Sequence, residues 1–186
     1  AATSIDGTAA QVAAVIADVE ITKPAIFNST LTGVATAADL NTIEGANGVT
    51  GLIDGAGITA ISGAAGAVAT ALGALDTDPA AGFVWSDASG VSVLATDLQL
   101  ISAATGSTVD VSAATGIDGT AANVAAVIND AEITTPVNFN SVLTGVAFAT
   151  DISAIEAANG TGSMDGSALT AINGTAAAVF QALTDL

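Results

Sequence analysis

The chain has 186 residues, carries 18 acidic side chains against one base, Lys23, and contains no Cys, His or Tyr. A formal net charge of −17 leaves no basic surface to neutralise phosphates, which excludes nucleic acid as a partner and disfavours an anionic membrane surface. The missing Cys and His remove disulfides, thiolate and imidazole metal ligands, and any imidazole base beside the many Ser and Thr residues.

Hydrophobic residues make up 51% of the chain but aromatics only 3%. Much of the apolar fraction is alanine, so the expected core gains from close backbone approach more than from bulky side chains. The length is ample for a sizeable core. The chain opens Ala1-Ala2-Thr3, without Met or an apolar leader, which reads as a processed chain or a slice of a longer one.

Taken in order, the first element is Ile5-Asp6-Gly7-Thr8 followed by Ala9 to Ile16, a strand end, a glycine turn and a helix with apolar residues at three- and four-residue steps. It returns almost unchanged at Ile117 to Ile128, with thinner copies beginning at Ile61 and Ile172. Residues 1–48 match 113–160 without a gap, 34 of the 48 pairs being identical. After a one-residue slip Asp54-Gly55 matches Asp165-Gly166, and the match runs on to Leu75 against Leu186. Residues 1–112 thus form a first long unit of four coils, and 113–186 a second, incomplete unit of three. Strand ends at Ile5, Val34, Ile61, Val93, Ile117, Val146 and Ile172 give a mean step of about 28 residues.

Helices are expected to open at Thr8, Thr36, Ala64, Thr96, Thr120, Thr150 and Thr175, where a Thr oxygen satisfies an orphaned N–H. Asp39, Asp97 and Asp151 follow in the first turn. Asn47-Gly48, Thr105-Gly106 and Asn159-Gly160 are expected stops. Between helices come two short strand pieces, such as 51–54 then 58–61, or 108–111 then 114–117. Strand, crossover helix and strand at this spacing imply parallel pairing and right-handed winding. The fold expected is an α/β repeat solenoid of about seven ~28-residue coils, each with short parallel strands and one Ala-rich helix. Its core would hold Val12, Ile16, Leu40, Ile43, Val68, Leu72, Leu98, Ile101, Val124, Ile128, Ile152, Ile155, Val179 and Leu183. The alternative is two globular α/β domains, one per long unit. The nearly uncharged run 57–75 approaches the length of a membrane span, but its Gly, Thr and Ser content and its flanks Asp54 and Asp76 argue against insertion.

Chemistry is sparse. Lys23 becomes Thr135 one long unit later and reads as a surface residue. The acids follow the repeat (Asp6/Asp118, Asp18/Asp130, Asp54/Asp165), which suits a solvated acidic face better than one asymmetric active site. No catalytic residue is therefore assigned. Turns at Asp6, Asp54, Asp118 and Asp165 offer carboxylate, hydroxyl and carbonyl oxygens of the type calcium prefers, without an established calcium-loop spacing. Thr32, Thr59, Thr144 and Thr170 recur beside strand ends but form no Thr-x-Thr ladder. Phe27 and Phe139 read as core plugs, and Trp85 as either a core anchor or an interface residue.

The runs Ala38-Asp39-Leu40-Asn41-Thr42-Ile43-Glu44-Gly45 and Ile61-Ser62-Gly63-Ala64-Ala65 resemble the alanine-, threonine- and glycine-rich repeats of very large surface proteins of marine bacteria, notably cyanobacteria. Ile117 to Val124 looks like the second half of the same repeat. The resemblance implies an extracellular, structural or adhesive protein with no catalytic residues. The two raw ends of an uncapped solenoid independently point to head-to-tail self-association into a filament or surface layer. A monomeric adhesin segment binding a glycan or another protein is the competing expectation.

Overall fold

A computed structural model of the chain describes residues 3–80, 85–86 and 90–186. It divides into two compact units, Ala1–Ser86 with Ile101–Thr108, and Asp87–Leu100 with Val109–Leu186. Among the described residues seven helices and parallel strands make the fold α/β.

The first unit begins with α1 (Ala9–Ala17), held at its start by a reciprocal pair of bonds. The Gln11 amide donates to Thr8 Oγ1 at 3.3 Å, and the Thr8 amide donates to Gln11 Oε1 at 3.1 Å. There follow β1 (Ser29–Thr36), α2 (Ala37–Ala46), β2 (Ile53–Ser62), α3 (Ala65–Gly73) and β3 (Trp85–Ser86). β1 and β2 pair in parallel from Ser29↔Ile53 to Thr36↔Ser62, with register shifts between Thr30/Thr32 and Gly33/Val34. Ser4 and Gly7 bridge Asn28 and Leu31, while Thr77 bridges Asp54 beyond β2. Helix α1 packs on α2 and α2 on α3. Beneath them Leu31, Leu40, Ile43, Ile53 and Val68 are fully buried.

The second unit repeats the plan with β4 (Ser92–Leu94), the first residues of α4 (Ala95–Thr105), β5 (Val109–Asp110), β6 (Gly116–Thr120), α5 (Ala121–Asn129), β7 (Ile133–Thr134), β8 (Ser141–Phe148), α6 (Ala149–Ala158), β9 (Met164–Asn173) and α7 (Ala176–Asp185). Strands order as β4-β6-β8-β9, all parallel. β8 and β9 repeat the two register shifts of β1 and β2 at equivalent residues. One sequence pattern has therefore been read twice into one backbone geometry.

Most boundaries follow from local chemistry. Thr8, Thr36, Thr120 and Thr175 cap their helices through the side chain, and Ala64 occupies the cap position without such a bond. Helices α2, α4 and α6 end where expected, with Gly48, Gly106 and Gly160 at φ 77°, 53° and 63°, a backbone region that L side chains resist. The caps expected at Thr96 and Thr150 are wrong: both residues lie inside helices that start at Ala95 and Ala149. Phe148 takes the place of Thr36, holding extended φ −91°, ψ 140° without a side-chain bond, so the nearest Thr misled. The strand pieces expected at 51–54 and 58–61 fall on one bulged strand, β2, which starts only at Ile53.

Ten of the fourteen expected core residues are buried. Ile16, Ile128 and Val179 are only half-buried and Leu183 is 60% exposed. The uncharged run 57–75 is divided between β2 and α3. Among the described residues no helix is long and apolar enough to cross a membrane.

Ile152 is fully buried and Val137 is 83% exposed. Truncating Ile152 to Ala should cost about 2–5 kcal/mol in urea unfolding, whereas Val137→Ala should stay within about 0.5 kcal/mol. Equal costs would contradict this assignment of the core.

Candidate functional site

The four carboxylates considered for calcium each accept a backbone amide. Asp6 Oδ1 accepts the Thr30 amide at 2.9 Å, and Asp118 Oδ1 accepts the equivalent Val142 amide at 2.8 Å. Both reach across to the next strand, 24 residues on. Asp54 and Asp165 instead close turns within their own strands, accepting from the Ala56 and Ser167 amides at 3.0 and 2.8 Å. The structure does not bring these carboxylates together, and no group of three or more His, Cys, Asp or Glu able to hold a metal occurs among the described residues.

Asparagine shares the cross-strand task, which the sequence reading missed. Asn28 Oδ1 accepts the Leu52 amide at 3.0 Å, and Asn140 Oδ1 accepts the Ser163 amide at 2.9 Å. Asn138 Oδ1 accepts the Thr161 amide at 2.9 Å. The available signal was the identity of Asn28 with Asn140 one long unit apart.

The remaining candidates are structural. The Lys23 ammonium donates to the carbonyls of Ile16 and Asp18 at the end of α1, capping the negative helix terminus instead of standing free in solvent. Trp85 is 1% exposed and its indole N–H donates to Gly63 O at 3.2 Å, the core alternative; its neighbours Phe83 and Val84 lie outside the described residues. Phe27 and Phe139 are buried plugs. Thr32 pairs with Gly57, and Thr144 with Thr120 on one side and Ala168 on the other, so the paired threonines do not continue into β9. An open cleft of about 310 Å³ is lined by Ala114, Thr115, Asn138, Phe139, Asn140, Thr161 and Gly162. It carries no ionisable group, and its one aromatic, Phe139, is buried.

What the arrangement does offer is open strand edge and apolar face. β9 is the last strand of its sheet, with no partner beyond it among the described residues. On α7, Phe180 and Leu183 are 71% and 60% exposed. In the first unit, residues 4–7 bond to β1 on one side only among the described residues. Comparison of the chain with family models, with curated proteins and with solved structures found no match.

Removing a cross-strand acceptor leaves a backbone N–H without its partner. Asp118→Ala should therefore cost about 0.5–1.5 kcal/mol at this exposed bond, with most of it recovered by Asp118→Asn, which keeps an acceptor oxygen. Thermal unfolding of the two variants checks this, and equal losses would contradict it.

Ionisation adds a pH dependence. The Ser112 hydroxyl, then its amide, lower the Asp110 pKa, and the Ser167 amide, then its hydroxyl, lower that of Asp165. Their contribution is present above the ordinary carboxylate value near ~4 and is lost as pH falls through the lower folded-state values. Burial raises the pKa of Asp97, so its contribution runs oppositely, present below the ordinary value and lost as pH rises through the raised one. Asp110→Asn combined with Asp165→Asn should flatten the acid limb of the stability–pH curve. An unchanged limb would contradict the assignment.

Proposed function

We propose that this chain is a structural repeat protein, a subunit or segment of an extracellular filament or surface layer. In this reading its strand–helix repeats wind as one right-handed solenoid of about seven ~28-residue coils, and copies join head to tail. The observation that carries it is the parallel pairing of successive strand–helix repeats, β9 in one unit and residues 4–7 in the other each being paired on one side only among the described residues. These edges belong to opposite sides of the repeat, so joining them is heterologous and extends without closing unless the rotation happens to form a ring. The resemblance to giant bacterial surface repeats supports the extracellular location.

The role requires no catalytic residue and no cofactor, and its partner is the chain itself. Calcium or high salt enters as a screen, since copies that each carry a net charge of −17 repel one another over roughly a Debye length of 10 Å at 0.1 M salt. The adhesin alternative would use the amide-lined cleft around Asn138 and Asn140, but that cleft exposes no aromatic ring on which a sugar could stack.

Electron microscopy of concentrated protein at about 0.1 M and about 1 M salt tests the proposal. Filaments or sheets that lengthen with salt are expected. Uniform single particles at every concentration and salt, together with glycan-array binding, would overturn it in favour of the adhesin.

A further inference from the structure

The repeat supplies its own control for departures from its pattern. β8 and α6 copy β1 and α2 at an offset of 112, and Phe148 stands where the copy carries Thr36. Both residues hold extended backbone at the cap of their helix, φ −103°, ψ 149° for Thr36 and φ −91°, ψ 140° for Phe148, so their side chains leave the chain in the same direction. What those side chains do differs. Thr36 Oγ1 accepts the Asp39 amide at 3.0 Å, and its hydroxyl donates to Asp39 Oδ2 at 2.8 Å. Phe148 makes no such bond, and the carboxylate of Asp151, the copy of Asp39, has no hydrogen-bond partner among the described residues.

The exchange gains nothing inside the fold. Ala147 and Ala149 on either side are each 1% exposed and fill the core, while Phe148 is 58% exposed. A capping bond is given up and an apolar ring is left in water, and both changes lower stability. The exposure comes from the outer face of the sheet, since Val142, Thr144, Val146 and Phe148 alternate outward along β8. β8 itself has β6 on one side and β9 on the other.

Polar groups without partners surround the ring. Asn173 pairs with Phe148 across the β8–β9 ladder and is exposed, as is Ser62 beside Thr36 in the first unit. Asp151 lies at the place from which Asp39 reaches Thr36, and Thr150 is exposed beside it. The side chains of Thr150, Asp151 and Asn173 make no hydrogen bond among the described residues. One ring face is thus bordered by a carboxylate that only accepts, and by a carboxamide and a hydroxyl that both donate and accept.

A pyranose matches this set. One of its faces is a patch of C–H bonds, which the negative face of an aromatic ring attracts. Its rim carries neighbouring hydroxyls, each able to give a proton to the carboxylate and to take one from the carboxamide. A protein partner would call for a wider apolar centre, and here the ring has only Val146, 52% exposed, on the same face of its strand. The net charge of −17 repels acidic and sulfated sugars.

We propose that Phe148, Thr150, Asp151 and Asn173 form a binding site for a neutral hexopyranose unit of an oligosaccharide, stacked on the Phe148 ring with its hydroxyls on Asp151 and Asn173. The site lies within the second unit and stands whether or not copies of the chain assemble.

Proton–nitrogen NMR titration with neutral trisaccharides of glucose, mannose and galactose tests it, at concentrations that cover a dissociation constant of about 1 mM. At least one sugar should shift the amides of Phe148, Asp151 and Asn173 and leave those of Thr36 and Asp39 unmoved. Phe148→Thr should weaken binding at least about tenfold and at the same time raise the melting temperature, because it restores the cap seen at Thr36. Asp151→Asn should weaken binding about tenfold with an unchanged circular dichroism spectrum, and Phe148→Trp should keep it. The proposal fails if none of the three sugars binds, or if Phe148→Thr binds as the wild type does. It fails equally if Phe148→Thr melts lower, since the ring would then be packing within the fold. A Phe148→Thr variant that loses self-association in sedimentation, with no sugar bound by the wild type, would make the ring a protein contact and overturn the site.

Discussion

Parallel strand pairing between successive repeats is the constraint from which the rest of this structure follows. A strand can satisfy its backbone on both edges only if a repeat lies on each side of it, and here several repeats also send a side-chain oxygen forward. Asp6 to Thr30, Asn28 to Leu52, Asp118 to Val142 and Asn140 to Ser163 all cross one strand-to-strand gap. An acidic, alanine-rich chain can thereby hold its strands without large side chains. Carboxylates that would suggest a metal site take part in building the frame.

Small residues make the close spacing possible. Ala37, Ala71, Ala121, Ala149 and Ala182 are almost wholly buried where helices meet strands or other helices. Gly162 is tighter still, since a Cβ placed there would lie 1.7 Å from Phe139 O. The few large residues mark exceptions to this economy: Trp85, Phe27 and Phe139 fill the interior, while Phe148 and Phe180 point outward. Exposed aromatics in so aromatic-poor a chain stand out, and Phe148 gains meaning because its copy, Thr36, is a helix cap.

Much of the fold was legible because the repeat states its grammar twice. Thr before an Ala-rich run, and Asn-Gly or Thr-Gly after one, located most helix ends through bonds that depend only on neighbouring residues. The failures came where the repeat substitutes one residue for another. Phe148 in the Thr36 position shifted a helix start, and the continuous β2 was read as two pieces because bulges break strict alternation without breaking the strand. Leu183 was assigned to the core on helical periodicity, which specifies the side of a helix but not whether a neighbour lies there. The same limit applies to the acids: spacing gave their periodicity, but only the fold reveals that Asp6 and Asp118 bind backbone amides while Asp54 and Asp165 close turns. Lys23 and Asn140 were likewise invisible as caps and cross-strand acceptors, because their partners lie on other elements or beyond the local run.

Amide hydrogen exchange at increasing protein concentration tests the central claim most directly, because it reads the edge of each strand separately. The account predicts that β9 amides pointing away from β8, and the outward amides of residues 4–7, exchange fast in dilute protein and become protected together as copies associate, while amides between β8 and β9 stay protected throughout. Protection that appears elsewhere on the surface, or outward β9 amides that remain fast in the assembled state, would contradict it.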